Sequence, residues 1–299
     1  MKTSYLPLTA APWKQNQAYR EILPVSPGLS GVIRCFWGSD VPYEKRRQDS
    51  HSTVVIPDTC VDIIYEIDYT DNTVAGKFCG INDTSFVASE AGRWGHLVSV
   101  FGIRFYAWAV CAFLEDSLKG TLNGCYDAGS RFHWLDRKLR QQLFEKNSLK
   151  ERSRLTEELL LKNTVPLRQS SVVNHAAKII LLQKGALSIE QLAGECLISS
   201  RQLERLFQEY IGIGPKKLCS LVRYQYLWGE VVRNPGFCVS DAVYQYGYTD
   251  QSHLIREFKR YHTMDIRKAA AYARSSGITM SEIYNLFPAV SDTINGTYS

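Results

Sequence analysis

His253 stands in the stretch GYTDQSHLIREFKR (247–260), after Thr249, Asp250, Gln251 and Ser252 and before Leu254, Ile255 and Phe258 at helical spacing. Three chemistries use such a set. The imidazole could act as a general base, the small polar residues could cap a helix, or the polar edge could hydrogen-bond to base pairs. A general base needs a nucleophile or substrate within reach. The neighbours of His253 supply only a cap and an apolar stripe, so a histidine on a helix surface or facing DNA is expected, and no catalytic set. A second group lies in IPDTCVDII (56–64), where Asp58, Cys60 and Asp62 fall close together with His51 upstream. These carboxylates suit a ligand or a metal, and equally a capped turn and the start of a strand. His51, His96 and Cys60 lack the spacing of a metal centre, so neither a metal nor a cofactor is expected. Trp37, Trp94, Phe101, Phe105 and Trp108 suit an apolar pocket or a core.

The chain that positions these residues has 299 residues, enough for two or three domains. Its 45% hydrophobic and 22% charged residues are those of a globular protein. A net charge of +5 permits a polyanionic partner without requiring one. No apolar run is long enough for a membrane span, and the first residues lack the apolar core of a signal peptide, so a cytoplasmic location is expected. Eight cysteines are scattered without a C-x-x-C pair. Zinc and redox motifs need close spacing, so these read as reduced thiols packed as small hydrophobes.

Up to residue 106, short runs rich in β-branched and aromatic residues alternate with turns: 31–37, 53–57, 61–67, 73–80 and 96–106. This predicts a small β-barrel or sandwich-like domain. From residue 107 to 184 the rhythm is helical, over 107–118, 132–145, 151–161 and 172–183. That region is a connector or dimerising layer, or the end of the first domain. Residues 185–275 form a third, all-α domain, giving an α+β multidomain chain. The tail, 276–299, carries little pattern beyond a short helix over 281–287.

The third domain repeats one layout. In SIEQLAGECLISSRQLERLFQEYI (188–211), Ser188 and Gln191 match a capping box ahead of a short helix. Ser199 or Ser200 then caps a second helix with the stripe Leu203, Leu206 and Phe207. In VSDAVYQYGYTDQSHLIREFKRY (239–261), Ser240 or Asp241 opens a short helix, Gly247 supplies the turn, and Thr249 or Asp250 caps the next helix. A helix opened by Pro215 and closed before Pro235-Gly236 joins them. About nineteen residues at ~1.5 Å each make a rod of roughly 28 Å, close to the ~34 Å between successive major-groove faces of DNA. Two helix-turn-helix units joined by a linker helix are therefore expected.

Residues 188–270 resemble the AraC/XylS family of bacterial transcription regulators. The resemblance rests on Leu192-Ala193, Ser199 with RQLERLF (201–207), Pro215 and GYTDQSHLIREFKR. Residues 56–64 and 101–105 resemble two blocks of a sensor-like domain found ahead of it in one subset. The sequence departs at Leu197 and Thr59, which stand where glycines are usual, and at 263–266, where a Gly-x-Thr-Pro is replaced. The resemblance implies sequence-specific binding to double-stranded promoter or operator DNA. It implies base or groove contacts from Ser200, Arg201, Gln202 and Arg205 on one helix and from Thr249, Gln251, Ser252, His253 and Arg256 on the other. Lys216, Lys217, Lys259 and Arg260 are placed for phosphate. It also implies a small-molecule effector held near Asp58, Cys60, Asp62 and Arg104, with RNA polymerase and a second copy of the chain as further partners. The alternatives are an enzyme in the β domain and an architectural DNA binder.

Overall fold

The computed structural model describes residues 5–8, 19–46, 53–88, 93–162, 171–262 and 264–275. Its first part is an antiparallel sheet. Strands β1 (Tyr19–Ile22), β2 (Ile33–Ser39), β3 (Tyr43–Glu44), β4 (Thr53–Val55), β5 (Cys60–Asp68), β6 (Thr73–Cys79), β7 (Phe86–Ala88), β8 (Leu97–Tyr106) and β9 (Cys125–Asp127) follow in chain order. The main sheet runs β1-β2-β8-β5-β6-β9, with β3 on β8, and β4 pairs with β7 separately. Its end strands β1 and β9 do not meet, so the sheet is open and not a barrel. The expected strand runs fall on β2, β4, β5, β6 and β8.

The period-two pattern of β5 sets the two faces of the sheet. Val61, Ile63, Tyr65 and Ile67 pair with Phe105, Ile103, Phe101 and Ser99 of β8 on one face, all buried. Helix α1 (His133–Gln142) lies against this domain, with Arg140 Nη1 donating to the Val74 carbonyl of β6 at 2.9 Å. Helix α2 (Leu149–Lys162) packs by β1 and β2, where the fully buried Arg152 donates to the Ser39 carbonyl and to the Tyr69 hydroxyl. The opposite face carries Asp62, Glu66 and Arg104.

The helix expected over 107–118 is replaced by a single 3-10 turn, Val110–Phe113. Packing overrides the local rhythm here. Trp108 stacks on Tyr106 with ring centroids 5.0 Å apart, and the Leu118 N–H bonds to the Glu209 carbonyl at 3.0 Å. The segment is thereby held as a buried connection with its backbone spent on partners outside a helix.

The C-terminal part holds α3 (Ser171–Leu182), α4 (Ile189–Glu195), α5 (Ser200–Tyr210), α6 (Pro215–Arg233), α7 (Val239–Gln245), α8 (Gln251–His262) and α9 (Ile266–Ser275). Helix α6 is the axis. Leu218, Leu221, Val222, Tyr224, Leu227, Trp228 and Val231 are buried on more than one of its sides, as a helix packed all round requires. Among the described residues no helix is long and apolar enough to cross a membrane. The expected helix over 281–287 lies outside the described residues.

Several cysteines depart from the buried-thiol expectation. Cys79 and Cys125 are register partners on β6 and β9 and are joined by a disulfide. Their separation of 46 residues hides the pairing, because β9 is too short to announce itself. Cys238 is exposed, whereas Cys35, Cys60, Cys111 and Cys219 are buried as expected.

Candidate nucleic-acid interface

Each unit begins with a short helix whose apolar side is fixed on the body. In the first, the Ser188 hydroxyl accepts from the Gln191 N–H at 3.1 Å and the Gln191 side chain returns the bond to the Ser188 N–H at 2.9 Å. Leu192 and Ala193 are buried beneath it. Ser199, not Ser200, caps α5 by accepting from the Gln202 N–H at 3.2 Å. In the second unit the expected Ser240 or Asp241 cap is absent. Cys238 holds that position with no side-chain bond, and the Ser240 hydroxyl instead accepts from Gln251 Nε2 at 2.9 Å. Asp250 caps α8 by accepting from the His253 N–H at 2.7 Å.

Counting from these caps aligns the two recognition helices. Leu203 and Leu254 stand four residues beyond Ser199 and Asp250, Phe207 and Phe258 eight, and all four are fully buried. The outward positions then correspond as Ser200 with Gln251, Arg201 with Ser252, Gln202 with His253, and Arg205 with Arg256. The turns differ in length. Leu197 lies two residues before its cap and Gly247 three, yet both have positive φ, 56° and 65°. Leu197 therefore adopts the backbone that a glycine would take there, with a side chain 92% exposed.

Ser200, Arg201, Gln202 and Arg205 are exposed on α5, as are Gln251, Ser252 and Arg256 on α8 and Thr249 just ahead of it. His253 is half-buried. Its Nδ1 accepts from the Thr249 N–H at 3.4 Å, and its ring meets Tyr248 edge-on at 5.3 Å, so it folds back on the turn. Ile255 is 36% exposed and lies at the margin of the stripe rather than inside it. Lys216, Lys259 and Arg260 are exposed, but Lys217 is ion-paired with Asp83 of the β6–β7 loop. Behind α8, Arg223 of α6 grips Glu257 through two bonds of 3.0 and 2.8 Å, and Tyr248 donates to the same carboxylate at 2.9 Å. Such a fork-to-carboxylate pair fixes orientation as well as distance. The replaced Gly-x-Thr-Pro segment still launches a helix, since Asp265 accepts from the Arg267 N–H at 2.9 Å.

The first-half candidates form a filled network. Arg104 Nε and Nη2 donate to the two Asp62 oxygens, each at 2.9 Å, and Trp37 Nε1 donates to Asp62 at 3.0 Å. Asp58 lies 3.7 Å from Arg104 and accepts from the Cys60 N–H at 2.8 Å, the turn-capping role. Burial works to lower the Arg104 pKa, but the charges of Asp62 and Asp58 prevail and hold it well above the usual arginine value. Burial pushes the Cys60 thiol up, with Asp58 adding to the effect, so it is no nucleophile. His51 lies outside the described residues. Phe101, Phe105 and Trp108 are core residues, whereas Trp94 is 40% exposed. Asp68, Asp71 and His96 bring donor atoms within 4.8 Å of one another. Burial would raise the Asp68 carboxyl, but the N–H groups of Asp71 and Thr70, with His96 and Arg93, hold it at about 2.

The seam between the two parts leaves little mark on the sequence. Gln225, buried in the apolar run of α6, accepts from the Leu8 N–H at 2.7 Å and donates to the Leu8 and Pro57 carbonyls at 2.9 and 2.6 Å. Tyr5 lies against Tyr226 with centroids 5.1 Å apart and bonds to Thr59 at 3.1 Å. Thr59, the departure from the usual glycine, thus joins the seam. An amide amid Leu221, Val222, Leu227 and Trp228 was the one signal available for it.

Two family models match separate parts of the chain. A helix-turn-helix domain matches residues 192–272. A domain of unknown function (DUF6597) matches residues 20–127. No curated protein sequence matches the chain. Among solved structures, ToxT from Vibrio cholerae is 12% identical, with 79% of this chain and 98% of that one covered and a TM-score of 0.39. ToxT from the same organism with an unsaturated fatty acid bound is 12% identical over 79% and 94%, with a TM-score of 0.37. An AraC-type regulator from Chromobacterium violaceum is 21% identical over 36% and 95%, with a TM-score of 0.32. At these identities and scores the likenesses assign no role to any residue here. Two capped helix-turn-helix units on one shared helix, inside a matched helix-turn-helix domain, define a DNA-binding transcription regulator. An antiparallel-sheet domain lies ahead of the matched helix-turn-helix domain.

Proposed function

We propose that the chain reads a specific promoter or operator sequence through α5 and α8 and that its sheet domain adjusts how these helices are presented. The observation that carries this reading is the pair of exposed polar edges set on buried Leu203, Phe207, Leu254 and Phe258. Arg201, Gln202, Arg205, Gln251, Ser252 and Arg256 are the candidates for base edges, because arginine and glutamine forks match guanine and adenine. Ser200 and Thr249 lie at the helix starts, where backbone N–H groups also meet phosphate. Lys216, Lys259 and Arg260 position the backbone of the duplex without reading it.

A small-molecule effector at the sheet domain, a second copy of the chain, RNA polymerase and a cytoplasmic setting belong to the same proposal. The Asp58–Arg104–Asp62 network supports a structural role more than an open anion site, since an entering ligand has to break a paired guanidinium. A division into a sheet part with α1 and α2 and a DNA-binding part from α3 onward is supported by the packing of α1 and α2 on strands and of α3 on α4, α5 and α6.

The test is selection of duplexes from a random library by the full chain. A consensus with two separated elements is expected. Loss of preference at one element with Arg205→Ala and at the other with Arg256→Ala supports the reading. Enrichment of no sequence over mixed duplex would replace it with an architectural binder.

A further inference from the structure

The disulfide sits at the root of a ribbon whose tip is the seam. Cys79 ends β6, and beyond it the chain stays paired with the segment that leads to Cys125. The Gly80 N–H bonds to the Gly124 carbonyl at 3.0 Å, and the Asn123 N–H to the Ile81 carbonyl at 2.8 Å. The Asn123 side chain then accepts from the Asp83 N–H at 2.9 Å and donates to the Asp83 carboxylate at 2.7 Å. A Cβ on Gly80 would fall 2.2 Å from the Thr121 carbonyl oxygen, so the two segments are in close contact along the whole ribbon.

The far end of this ribbon holds the DNA-binding part. Asp83 pairs with Lys217 at the start of α6, and the Ser85 hydroxyl donates to the Tyr261 carbonyl on α8. On the other strand of the ribbon the Leu118 N–H bonds to the Glu209 carbonyl at 3.0 Å and the Ser117 hydroxyl to the Glu209 carboxylate at 2.8 Å, at the end of α5. Both recognition helices and the linker helix are therefore touched by one stapled ribbon. Cys125 is exposed and Cys79 half-buried, so the bond is open to attack from solvent.

We propose that Cys79–Cys125 is a thiol–disulfide exchange site whose redox state sets how firmly this ribbon holds the DNA-binding part. This deepens the reading of the chain as a DNA-binding regulator and rests on it. A dithiol reductant supplies the chemistry. Its thiolate attacks the exposed Cys125 sulfur, the S–S bond breaks, and Cys79 leaves as a thiolate that takes up a proton. The second thiol of the reductant then displaces Cys125, giving two cysteine thiols and a cyclic disulfide of the reductant, with two electrons and two protons transferred. Oxidation by a disulfide such as oxidised glutathione runs the exchange in reverse. In the reduced state the ribbon is held by hydrogen bonds alone, Asp83 is less firmly placed, and Lys217 is released toward phosphate. Reduction thus strengthens DNA binding.

The experiment uses the full chain carrying Cys238→Ser, which removes the one other exposed thiol. It compares protein treated with oxidised glutathione, protein treated with dithiothreitol, and the additional Cys79→Ser/Cys125→Ser variant. Intact mass after alkylation reports the bond. Hydrogen exchange reports residues 80–85, 117–124 and 209–217. Binding to a mixed-sequence duplex at graded salt reports the consequence. Expected are a mass difference at this pair, exchange at least several-fold faster in those segments when the bond is open, and several-fold tighter binding with a salt slope steeper by about one phosphate contact. The permanently open variant follows the reduced protein. Failure of the pair to oxidise, equal exchange in the two states, or equal affinity with equal salt slope in the two states overturns the proposal. Absence of DNA binding in every state removes the regulator reading instead, and exchange then decides whether the ribbon responds to the bond.

Discussion

Leu197 and Gly247 turn the corner of the two helix-turn-helix units with the same left-handed backbone, at φ 56° and 65°. One pays for that conformation with a Cβ and the other does not. A left-handed leucine costs roughly 1–2 kcal/mol, and part of the gain from glycine is returned as entropy of the unfolded chain. Leu197→Gly is therefore expected to stabilise the protein by about 0.5–1 kcal/mol, with no packing lost from a side chain that lies in solvent. Gly247→Ala is expected to destabilise it by about 1 kcal/mol or more, since its Cβ would also come 3.0 Å from the Ala186 Cβ. Urea unfolding of both variants checks the pair of opposite signs.

His262 is neutral in the fold because burial pulls its pKa down to about 4, among Trp228, Phe258 and the Tyr224 hydroxyl that bonds to its Nδ1. Between about pH 6.5 and 4 the unfolded chain binds the proton and the folded chain does not, so stability falls as pH falls through that window. The interval at ~1.4 kcal/mol per pH unit amounts to roughly 3 kcal/mol. The difference in unfolding free energy between the wild type and His262→Phe should shrink by that order from pH 7 to 4. A difference that stays flat would show that His262 does not titrate in this window.

Gln225 satisfies three backbone groups at once, on Leu8 and Pro57. Gln225→Leu keeps the volume and leaves those groups without a partner. At about 1–3 kcal/mol for each buried group so stranded, a loss of about 3 kcal/mol is expected. The first signs should be faster hydrogen exchange at residues 5–8 and 57–60, ahead of any change within the sheet. A protection pattern identical to the wild type would mean that the amide is not a tie between the two parts.

Arg104 neutralises Asp62 and lies near Asp58 on a face where it is itself 8% exposed. Removing it by Arg104→Leu leaves the half-buried Asp62 carboxylate unpaired beside Trp37, and a cost of about 3 kcal/mol is expected. Thermal unfolding measures this directly. A milder effect, together with loss of response to an added effector, would favour a ligand-binding role for the arginine over a structural one.

The helix-turn-helix units were legible because several local signals agreed: Ser188 with Gln191, Pro215, Gly247, and stripes at a spacing of three and four. The caps were read less well. Ser240 and Asp241 carry the right side chains for an N-cap, but tertiary context gave the position to Cys238 and turned Ser240 toward Gln251. The helix expected over 107–118 failed for a related reason, since its amides find partners on other elements. Strands β1, β3, β7 and β9 are too short for a period of two to show, and with β9 went the pairing of Cys79 with Cys125. Asp58, Asp62 and Arg104 lie together in the fold, but sequence cannot tell a filled ion pair from an empty site. Register can, because it places Asp62 directly opposite Arg104.

Helix α6 fixes the angular phase between the two helix-turn-helix units. Each residue in an α-helix advances the chain by about 1.5 Å and turns it by about 100°. One residue added to α6 would swing α7 and α8 by more than a quarter of a revolution relative to α5, aiming the second edge away from the duplex. An insertion in α6 is therefore expected to disrupt the relative placement of the two units. If Arg205 and Arg256 read bases as proposed, exchange of such side chains would retarget the chain while the phase between their helices stays fixed.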